Sequence, residues 1–183
     1  MPITASDQAF LQLLAQRKVM TESEAQESMD AVGQQLGSFG EDGGLRATIV
    51  ALNKKLALQD LQIRGYYAGT SDAPVIYMAL VNLASDDIAK AQGDTLSENE
   101  VETLKRLLAV LGGADDDTVE YEALRKERGK LGPGAFDAFC ADLVEKRWLN
   151  RDHDNITYGP RSYLELSDVL RTHGADVPQM VNY

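Results

Sequence analysis

The spacing of the apolar residues changes twice along this chain, and in the same way both times. In the first half, helical spacing up to residue 56 gives way to alternation at 61–63 and 76–80, with the turn residues Gly-Thr-Ser-Asp at 69–72 between them. A period near 3.6 residues predicts amphipathic helices, and a period of two predicts strands. Three helices followed by a β-hairpin is the order of a winged-helix domain, in which the hairpin forms the wing.

Capping residues and apolar stripes mark the helices of this first half. The first helix is predicted over Asp7–Arg17, and Thr-Glu-Ser-Glu at 21–24 is a capping box that opens the second. A glycine-rich segment at 37–44 precedes the third. The stripes consist of Phe10, Leu11, Leu13 and Leu14 in the first helix and of Leu45, Ile49, Leu52 and Leu56 in the third.

The same succession starts again in the second half, after a linking helix predicted near residues 83–92 and a turn at Gly93-Asp94. Ser-Glu-Asn-Glu at 97–100 is another capping box, a short helix is predicted over Val119–Arg125, and Gly-Pro-Gly at 132–134 precedes a third helix. The stripes of the two longer helices are Val101, Leu104, Leu107, Leu108 and Leu111, and then Phe136, Phe139, Cys140, Leu143 and Val144.

A second hairpin and a closing helix complete this half. Trp148 and Leu149 begin the hairpin, its tip is predicted at 150–155, and Pro160 opens a helix that Gly174 ends. The order of elements therefore repeats, although the halves share no residue-level repeat.

These patterns predict a fold class that is mainly α with small β-hairpins, arranged as tandem winged-helix domains. We expect residues 1–90 to form the first winged-helix domain with its linking helix and residues 91–174 to form the second. Residues 175–183 are expected to be an extended tail.

The composition limits the partners of such a protein. With a formal net charge of -11 and a pI near 4.6, the chain lacks the overall positive field that coats nucleic acid. One cysteine and two histidines cannot supply one four-ligand Cys/His zinc site, so we expect no metal or other cofactor in this chain. No basic and apolar leader and no 18-residue apolar run occurs, which argues against a membrane location and favours the cell interior.

Several segments together resemble a known family. They are Phe-Leu-Gln-Leu-Leu at 10–14, Ala-Leu-Val-Asn-Leu-Ala at 79–84, Glu-Asn-Glu-Val-Glu-Thr-Leu-Lys-Arg-Leu-Leu at 98–108, Arg-Trp-Leu at 147–149 and Tyr-Gly-Pro-Arg-Ser-Tyr-Leu-Glu-Leu at 158–166. In order and spacing they resemble non-structural maintenance of chromosomes element 1, the RING-bearing subunit of the Smc five-six chromosome complex. The resemblance extends from about Phe10 to about Leu170.

The resemblance implies a scaffold subunit in DNA repair and recombination after DNA damage, located in the nucleus. Such subunits pair with a MAGE-like tandem winged-helix subunit and, with a kleisin, contact double-stranded DNA as part of the complex. The family pattern continues into a RING that holds two zinc ions, recruits a ubiquitin-conjugating enzyme and makes the full-length protein an E3 ubiquitin ligase. That RING is absent from these residues, so we expect no catalytic residue here.

The first helix is the candidate partner surface. Leu11 lies next to Phe10 and widens the apolar stripe towards Gln12 and Ala15. Since members of the resembling family pair through their first winged helix, we expect Leu11, Gln12 and Ala15 to contribute to that interface. The alternative is that the wide stripe only makes a broad contact with the core.

Basic residues of the second half are weaker candidates for binding DNA. They are Lys126, Arg128, Lys130, Lys146, Arg147 and Arg151, with Arg125 and Arg161 close to them in sequence. A solvated charged face is the alternative, and the interleaved acids Asp142, Glu145, Asp152 and Asp154 oppose phosphate binding. We therefore expect weak binding that moderate salt abolishes.

The remaining reactive residue types indicate structural roles. Cys140 lies on an apolar helix face and predicts a core residue, and His153 and His173 fall in a turn and just before a glycine. Asp115-Asp116-Asp117 does not continue as a calcium loop, because Glu120 and Lys126 stand where Gly and Glu are required. A free-standing winged-helix DNA-binding regulator remains the alternative function, and selectivity for one duplex sequence would distinguish it.

Overall fold

The computed structural model describes residues 3–37, 39, 44–70, 72–83 and 96–183. The linking helix predicted near 83–92 and the turn predicted at Gly93-Asp94 therefore lie, apart from Leu83, outside the described residues. The chain divides into two compact units, Met1–Ala84 together with Pro178–Tyr183, and Ser85–Val177. None of the described helices combines the length and the apolar character that a membrane span requires.

The first unit has the order of a winged-helix domain. Its elements are α1 (Ala5–Arg17), β1 (Met20–Thr21), α2 (Glu22–Leu36), α3 (Gly44–Leu56), a 3-10 turn (Ala57–Gln59), β2 (Leu61–Thr70) and β3 (Ala73–Asn82). The three strands form an antiparallel sheet in the order β1-β3-β2, with Gly65 and Met20 both opposite Met78. The long β2–β3 hairpin is the wing that the alternating pattern predicts.

The apolar residues that set the two periods form the core of this unit. In the strands the face towards this core carries Ile63 in β2 and Ile76 and Met78 in β3. Ala79 and Val81, on the opposite face of β3, are buried as well. The helices contribute Phe10, Leu14, Ala25, Met29, Val32, Leu45, Ile49, Leu52 and Leu56. Phe39, from the glycine-rich segment, packs edge-on against Phe10 with ring centroids 6.0 Å apart.

The second unit repeats this order and then adds two short helices. Its elements are α4 (Glu98–Gly112), a 3-10 turn (Asp115–Asp117), β4 (Val119–Glu120), α5 (Tyr121–Lys126), α6 (Pro133–Glu145), β5 (Leu149–Asp152), β6 (Asn155–Tyr158), α7 (Pro160–Glu165) and α8 (Ser167–Thr172). The sheet order β4-β6-β5 matches that of the first unit. The tandem winged-helix fold is therefore confirmed.

Three local predictions for the second unit are wrong. Val119–Glu120 is a strand and not the start of a helix, because Val119 pairs with Ile156. The hairpin tip contains only His153 and Asp154, since pairing continues to Asp152 opposite Asn155.

The third correction concerns the closing helix, which is interrupted at Leu166. The backbone of Leu166 leaves the helical region at φ -118° and ψ 19°, while its side chain is 4% exposed in the core. Two short helices, α7 and α8, therefore replace the single helix that the spacing predicts.

Local hydrogen bonds explain why the long helices begin where they do. The boxes Thr21/Glu24 and Ser97/Glu100 form as predicted, with each hydroxyl accepting from a backbone amide and each carboxylate accepting from the amide of the capping residue. An unpredicted third box opens α1, in which Thr4 and Asp7 exchange the same pair of bonds.

Candidate interaction surfaces

Helix α1 presents one face to the core of the first unit and another face to solvent. Phe10 and Leu14 are fully buried, and Leu11 is half-buried and packs on the margin of the same core. Gln12 and Ala15 are exposed. Leu11 and Gln12 lie four and three residues before Ala15, so the three predicted interface residues share one side of the helix. Their role in partner binding stays a prediction.

An ion pair joins the start of α1 to the end of α3. Lys55 Nζ lies 2.8 Å from Asp7 Oδ2, and the Asp7 side chain is only 5% exposed. Burial opposes ionisation of this carboxyl, but Lys55 and the hydrogen bonds from Thr4 outweigh it, so the pKa of Asp7 lies below its usual value. The pair orients α1 within the first unit and thereby positions the face that carries Gln12 and Ala15.

Three of the six basic residues proposed to bind DNA contact neighbouring side chains. Lys130 Nζ lies 3.7 Å from Glu102, and Lys146 Nζ lies 2.8 Å from Asp142. The Arg151 guanidinium stacks on the Tyr121 ring, 4.3 Å from its centroid. These contacts reduce the positive charge available to phosphates, although none of them excludes a DNA contact.

Lys126 and Arg128 come together at a surface cavity of about 300 Å³, which Glu122, Arg125 and Pro133 also line. Arg125 is engaged by Asp137 at 3.1 Å. Among the described residues, no acidic side chain pairs with Lys126. This cavity is the place where the predicted basic residues are most available to an anion.

The third helix of the second unit carries the wrong charge for a nucleic-acid groove. Apart from small residues, the solvent-accessible positions of α6 include Asp137, Asp142 and Glu145. Acidic side chains at such positions repel phosphates, which are bound mainly by Lys and Arg. Sequence-specific reading of DNA by this helix is therefore disfavoured by its own side chains.

Arg161 is not part of any surface cluster, contrary to its grouping with the basic residues in the sequence. It is 4% exposed, forms an ion pair with Glu165, and lies over the Trp148 ring with 4.2 Å between its guanidinium carbon and the ring centroid. Since Pro160 begins α7 directly behind the wing, Arg161 points into the unit and supports Trp148.

The other candidates have structural surroundings. Cys140 is buried, and burial raises the pKa of its thiol to about 12, which keeps it protonated and unreactive. His153 occupies the wing tip beside Asp152, and His173 is exposed. Asp117 is buried and accepts the Asp176 amide at 3.1 Å. In the described part of the chain, no three His, Cys, Asp or Glu side chains form a metal-binding group.

The predicted C-terminal tail contains a contact that sequence reasoning missed. Residues 178–183 belong to the first unit, and Met180 forms an antiparallel bridge with Tyr66 of β2. Val181 and Tyr183 pack against the margin of that unit's core. Val181 and Tyr183 stand two positions apart, which is a weak strand signal, and so short a segment does not show which strand it pairs with.

Comparison with known proteins identifies the family of this chain and a solved structure with the same fold. The family model described as the Nse1 non-SMC component of the SMC5-6 complex matches residues 7–129. A chain from a solved Nse1-Nse3-Nse4 complex superposes with a TM-score of 0.80 at 21% sequence identity, over 93% of this chain and 75% of that chain. No curated protein sequence matches significantly. Because the family match covers more than half of the chain, this protein belongs to the Nse1 family of non-SMC components of the SMC5-6 complex.

Proposed function

We propose that this chain is a scaffold subunit that acts by holding other subunits of an SMC5-6 complex together. The observation that carries the proposal is the exposed side of α1, which lies within the residues that match the family. Its Gln12 and Ala15 are accessible beside the half-buried Leu11, and an apolar residue with polar neighbours is a composition that suits an interface.

The partners we propose are a MAGE-like tandem winged-helix subunit and a kleisin. The solved relative was determined in a complex with Nse3 and Nse4, which supports an equivalent assembly for this chain. The net charge of -11 is compatible with a role that depends on protein contacts more than on nucleic acid.

Co-purification with the MAGE-like partner tests the α1 surface. The double variant Gln12→Glu/Ala15→Glu changes two exposed residues three positions apart, so it should leave the fold intact and abolish co-purification, because buried interfacial charges without a partner are costly. The matched control is Ala31→Glu/Gln34→Glu, which changes the same two residue types, three positions apart, at exposed positions of α2, and it should retain the partner. If both variants co-purify normally, the proposed surface is wrong.

At the level of the cell, we propose a nuclear protein that acts in DNA repair and recombination. The membership of an SMC5-6 component family supports this role. Deletion of the gene should sensitise cells to DNA damage, and the Gln12→Glu/Ala15→Glu variant should fail to restore resistance while its α2 control restores it. If both variants restored resistance to DNA damage, the repair role would not depend on the α1 surface.

We also propose that any ubiquitin ligase activity of the full-length protein depends on a RING and not on the residues described here. A RING uses bound zinc to form the platform on which a ubiquitin-conjugating enzyme docks. Ubiquitin transfer by the isolated chain of 183 residues, measured with a conjugating enzyme, would contradict this proposal.

A DNA contact within the assembled complex is the second, weaker proposal. It is supported by the cavity that Lys126 and Arg128 line, and we retain Lys130, Lys146, Arg147 and Arg151 as candidate contacts. The acidic side chains of α6 indicate that such a contact is to the phosphate backbone and independent of sequence.

A further inference from the structure

The β2 edge of the first unit is occupied by a short segment from the end of the chain. The Tyr67 amide donates to the Gln179 carbonyl at 3.0 Å, and the Val181 amide donates to the Gly65 carbonyl at 2.8 Å. These bonds flank the antiparallel bridge between Tyr66 and Met180. Because β3 occupies the other edge of β2, the segment adds a strand in the manner of a peptide bound by β-augmentation.

The side chains of Val181 and Tyr183 fix the position of the segment on β2. Val181 and Tyr183 point to the same side and pack against the margin of the core. Tyr183 crosses directly over Gly65, where an added Cβ would lie 2.8 Å from the Tyr183 hydroxyl oxygen. The absence of a side chain at Gly65 therefore makes the space that an aromatic ring fills.

One buried polar atom weakens the contact between the segment and the first unit. The Tyr183 hydroxyl is buried and has no hydrogen-bond partner among the described residues, and burial raises the pKa of this phenol to about 12. A buried hydroxyl without a partner costs about 1–3 kcal/mol. The fully buried core of the first unit is formed by its helices and strands, with Val181 and Tyr183 only partly buried against it. The unit can thus keep its core when the segment leaves.

We propose that the β2 edge is a binding site for an extended peptide and that residues 178–183 are a resident occupant, which a second peptide of the same pattern displaces. The ligand is an uncharged segment with an aliphatic residue followed two positions later by an aromatic residue. Its main chain pairs with Gly65 and Tyr67, and its aromatic ring covers Gly65.

The test uses the full chain with its own segment weakened by Val181→Asp/Tyr183→Ala, called here the opened variant. The probe is a fluorescein-labelled synthetic peptide with the sequence of residues 178–183, and its binding is measured by fluorescence anisotropy. The opened variant should bind the probe at least about tenfold more tightly than the wild type, in which the tethered segment competes at a high effective concentration. A probe with alanine in place of its tyrosine should not bind.

Substitutions in the site itself complete the experiment. Gly65→Ala in the opened variant should abolish probe binding, whereas Gly33→Ala, which adds a methyl group in open space on α2, should not. A folded opened variant that does not bind the probe would overturn the proposal. So would equal binding with Gly65→Ala, or binding to the wild type as tight as to the opened variant.

Amide hydrogen exchange on the wild type gives a test that does not depend on the opened variant folding. The amides of Tyr67 and Val181 donate the hydrogen bonds that join β2 to the segment. The amides of Arg64 and Ala68 alternate with that of Tyr67 along β2 and therefore point to β3. A displaceable segment predicts that Tyr67 and Val181 exchange at least about 100-fold faster than Arg64 and Ala68. Equal protection of the two pairs would show that the segment is an integral strand.

Discussion

Two buried threonines show how single polar atoms affect the stability of each unit. Thr103 is 1% exposed, and its hydroxyl donates to the Asn99 carbonyl at 2.8 Å. Thr48 is 3% exposed, and its hydroxyl has no hydrogen-bond partner in the described part of the chain. Valine has the shape of threonine without the hydroxyl, so the same substitution should act in opposite directions at the two sites.

We predict that Thr48→Val raises the free energy of unfolding of the first unit by about 1 kcal/mol, because an unsatisfied buried hydroxyl is removed. Thr103→Val should lower the free energy of unfolding of the second unit by about 1 kcal/mol, because the hydrogen bond to the Asn99 carbonyl is lost. Urea unfolding followed by circular dichroism measures both. Destabilisation by Thr48→Val would indicate that its hydroxyl has a partner in solution.

The Asp7–Lys55 pair predicts a dependence of stability on pH. Because the folded pKa of Asp7 is lowered, its ionised form stabilises the fold above its unfolded pKa, near 3.8, and this contribution is lost as the pH falls through the lower folded value. Asp7→Asn should therefore destabilise the first unit by about 1–3 kcal/mol at pH 7.

Urea unfolding at several pH values checks this expectation. The difference between Asp7→Asn and the wild type should shrink progressively as the pH falls below about 4. The carboxyl of the unfolded chain is protonated first, and that of the folded chain at lower pH. The control Asp30→Asn, at an exposed residue of α2, should change the stability by less than about 0.5 kcal/mol. A difference that stays constant down to pH 2 would contradict an electrostatic role for Asp7.

At the scale of elements, the wing and closing helices of the second unit meet at a crowded glycine. Gly159 lies between β6 and α7, and a Cβ there would overlap the Arg147 carbonyl oxygen and approach the carbonyl carbon of Trp148. Both contacts are with backbone, which cannot rotate away. The Gly159 amide also donates to the Trp148 carbonyl at 2.8 Å, which holds the two segments together.

We predict that Gly159→Ala destabilises the second unit by about 2–4 kcal/mol, because the added methyl group forces the backbone segments apart. The control Gly134→Ala adds a methyl group in open space in the first turn of α6 and should stabilise by up to about 1 kcal/mol. Trp148, the one tryptophan of the chain, is fully buried, so its fluorescence follows the unfolding of both variants. If Gly159→Ala were as stable as the wild type, the backbone at this junction would accommodate the methyl group without cost.

At the scale of the whole molecule, the net charge of -11 works against nucleic-acid binding by the isolated chain. Its basic residues lie among acids, and the cavity lined by Lys126 and Arg128 is also lined by Glu122. A phosphate contact is thus local and comprises few charges.

We predict that the isolated chain binds duplex DNA weakly and without sequence preference, and that raising salt from about 50 to about 200 mM removes the binding. Lys126→Ala/Arg128→Ala should weaken binding equally for unrelated duplexes and reduce its salt dependence, since phosphate contacts are lost. Electrophoretic mobility shifts over a salt series measure this. Selectivity for one sequence that survives high salt would favour the winged-helix regulator instead.

Much of the fold follows from short-range patterns in the sequence. The boxes Thr21/Glu24 and Ser97/Glu100 place two helix starts, because their bonds join residues three apart. The apolar stripe from Leu45 to Leu56 has the helical period, and the apolar alternation from Ile76 to Leu80 has the period of a strand, which distinguishes the two elements. The family resemblance likewise follows from the sequence, and the match to residues 7–129 confirms it.

The sequence by itself therefore determined the order of the helices and hairpins, since each is specified by local hydrogen bonds or by its own apolar period. Only the tertiary structure decided the pairing of the two-residue strand Val119–Glu120, the burial of Arg161 over Trp148 and the docking of Tyr183 at Gly65. In each case the stabilising group comes from a distant part of the chain. A local pattern carries no information about that group, because the contact exists only after the chain has folded.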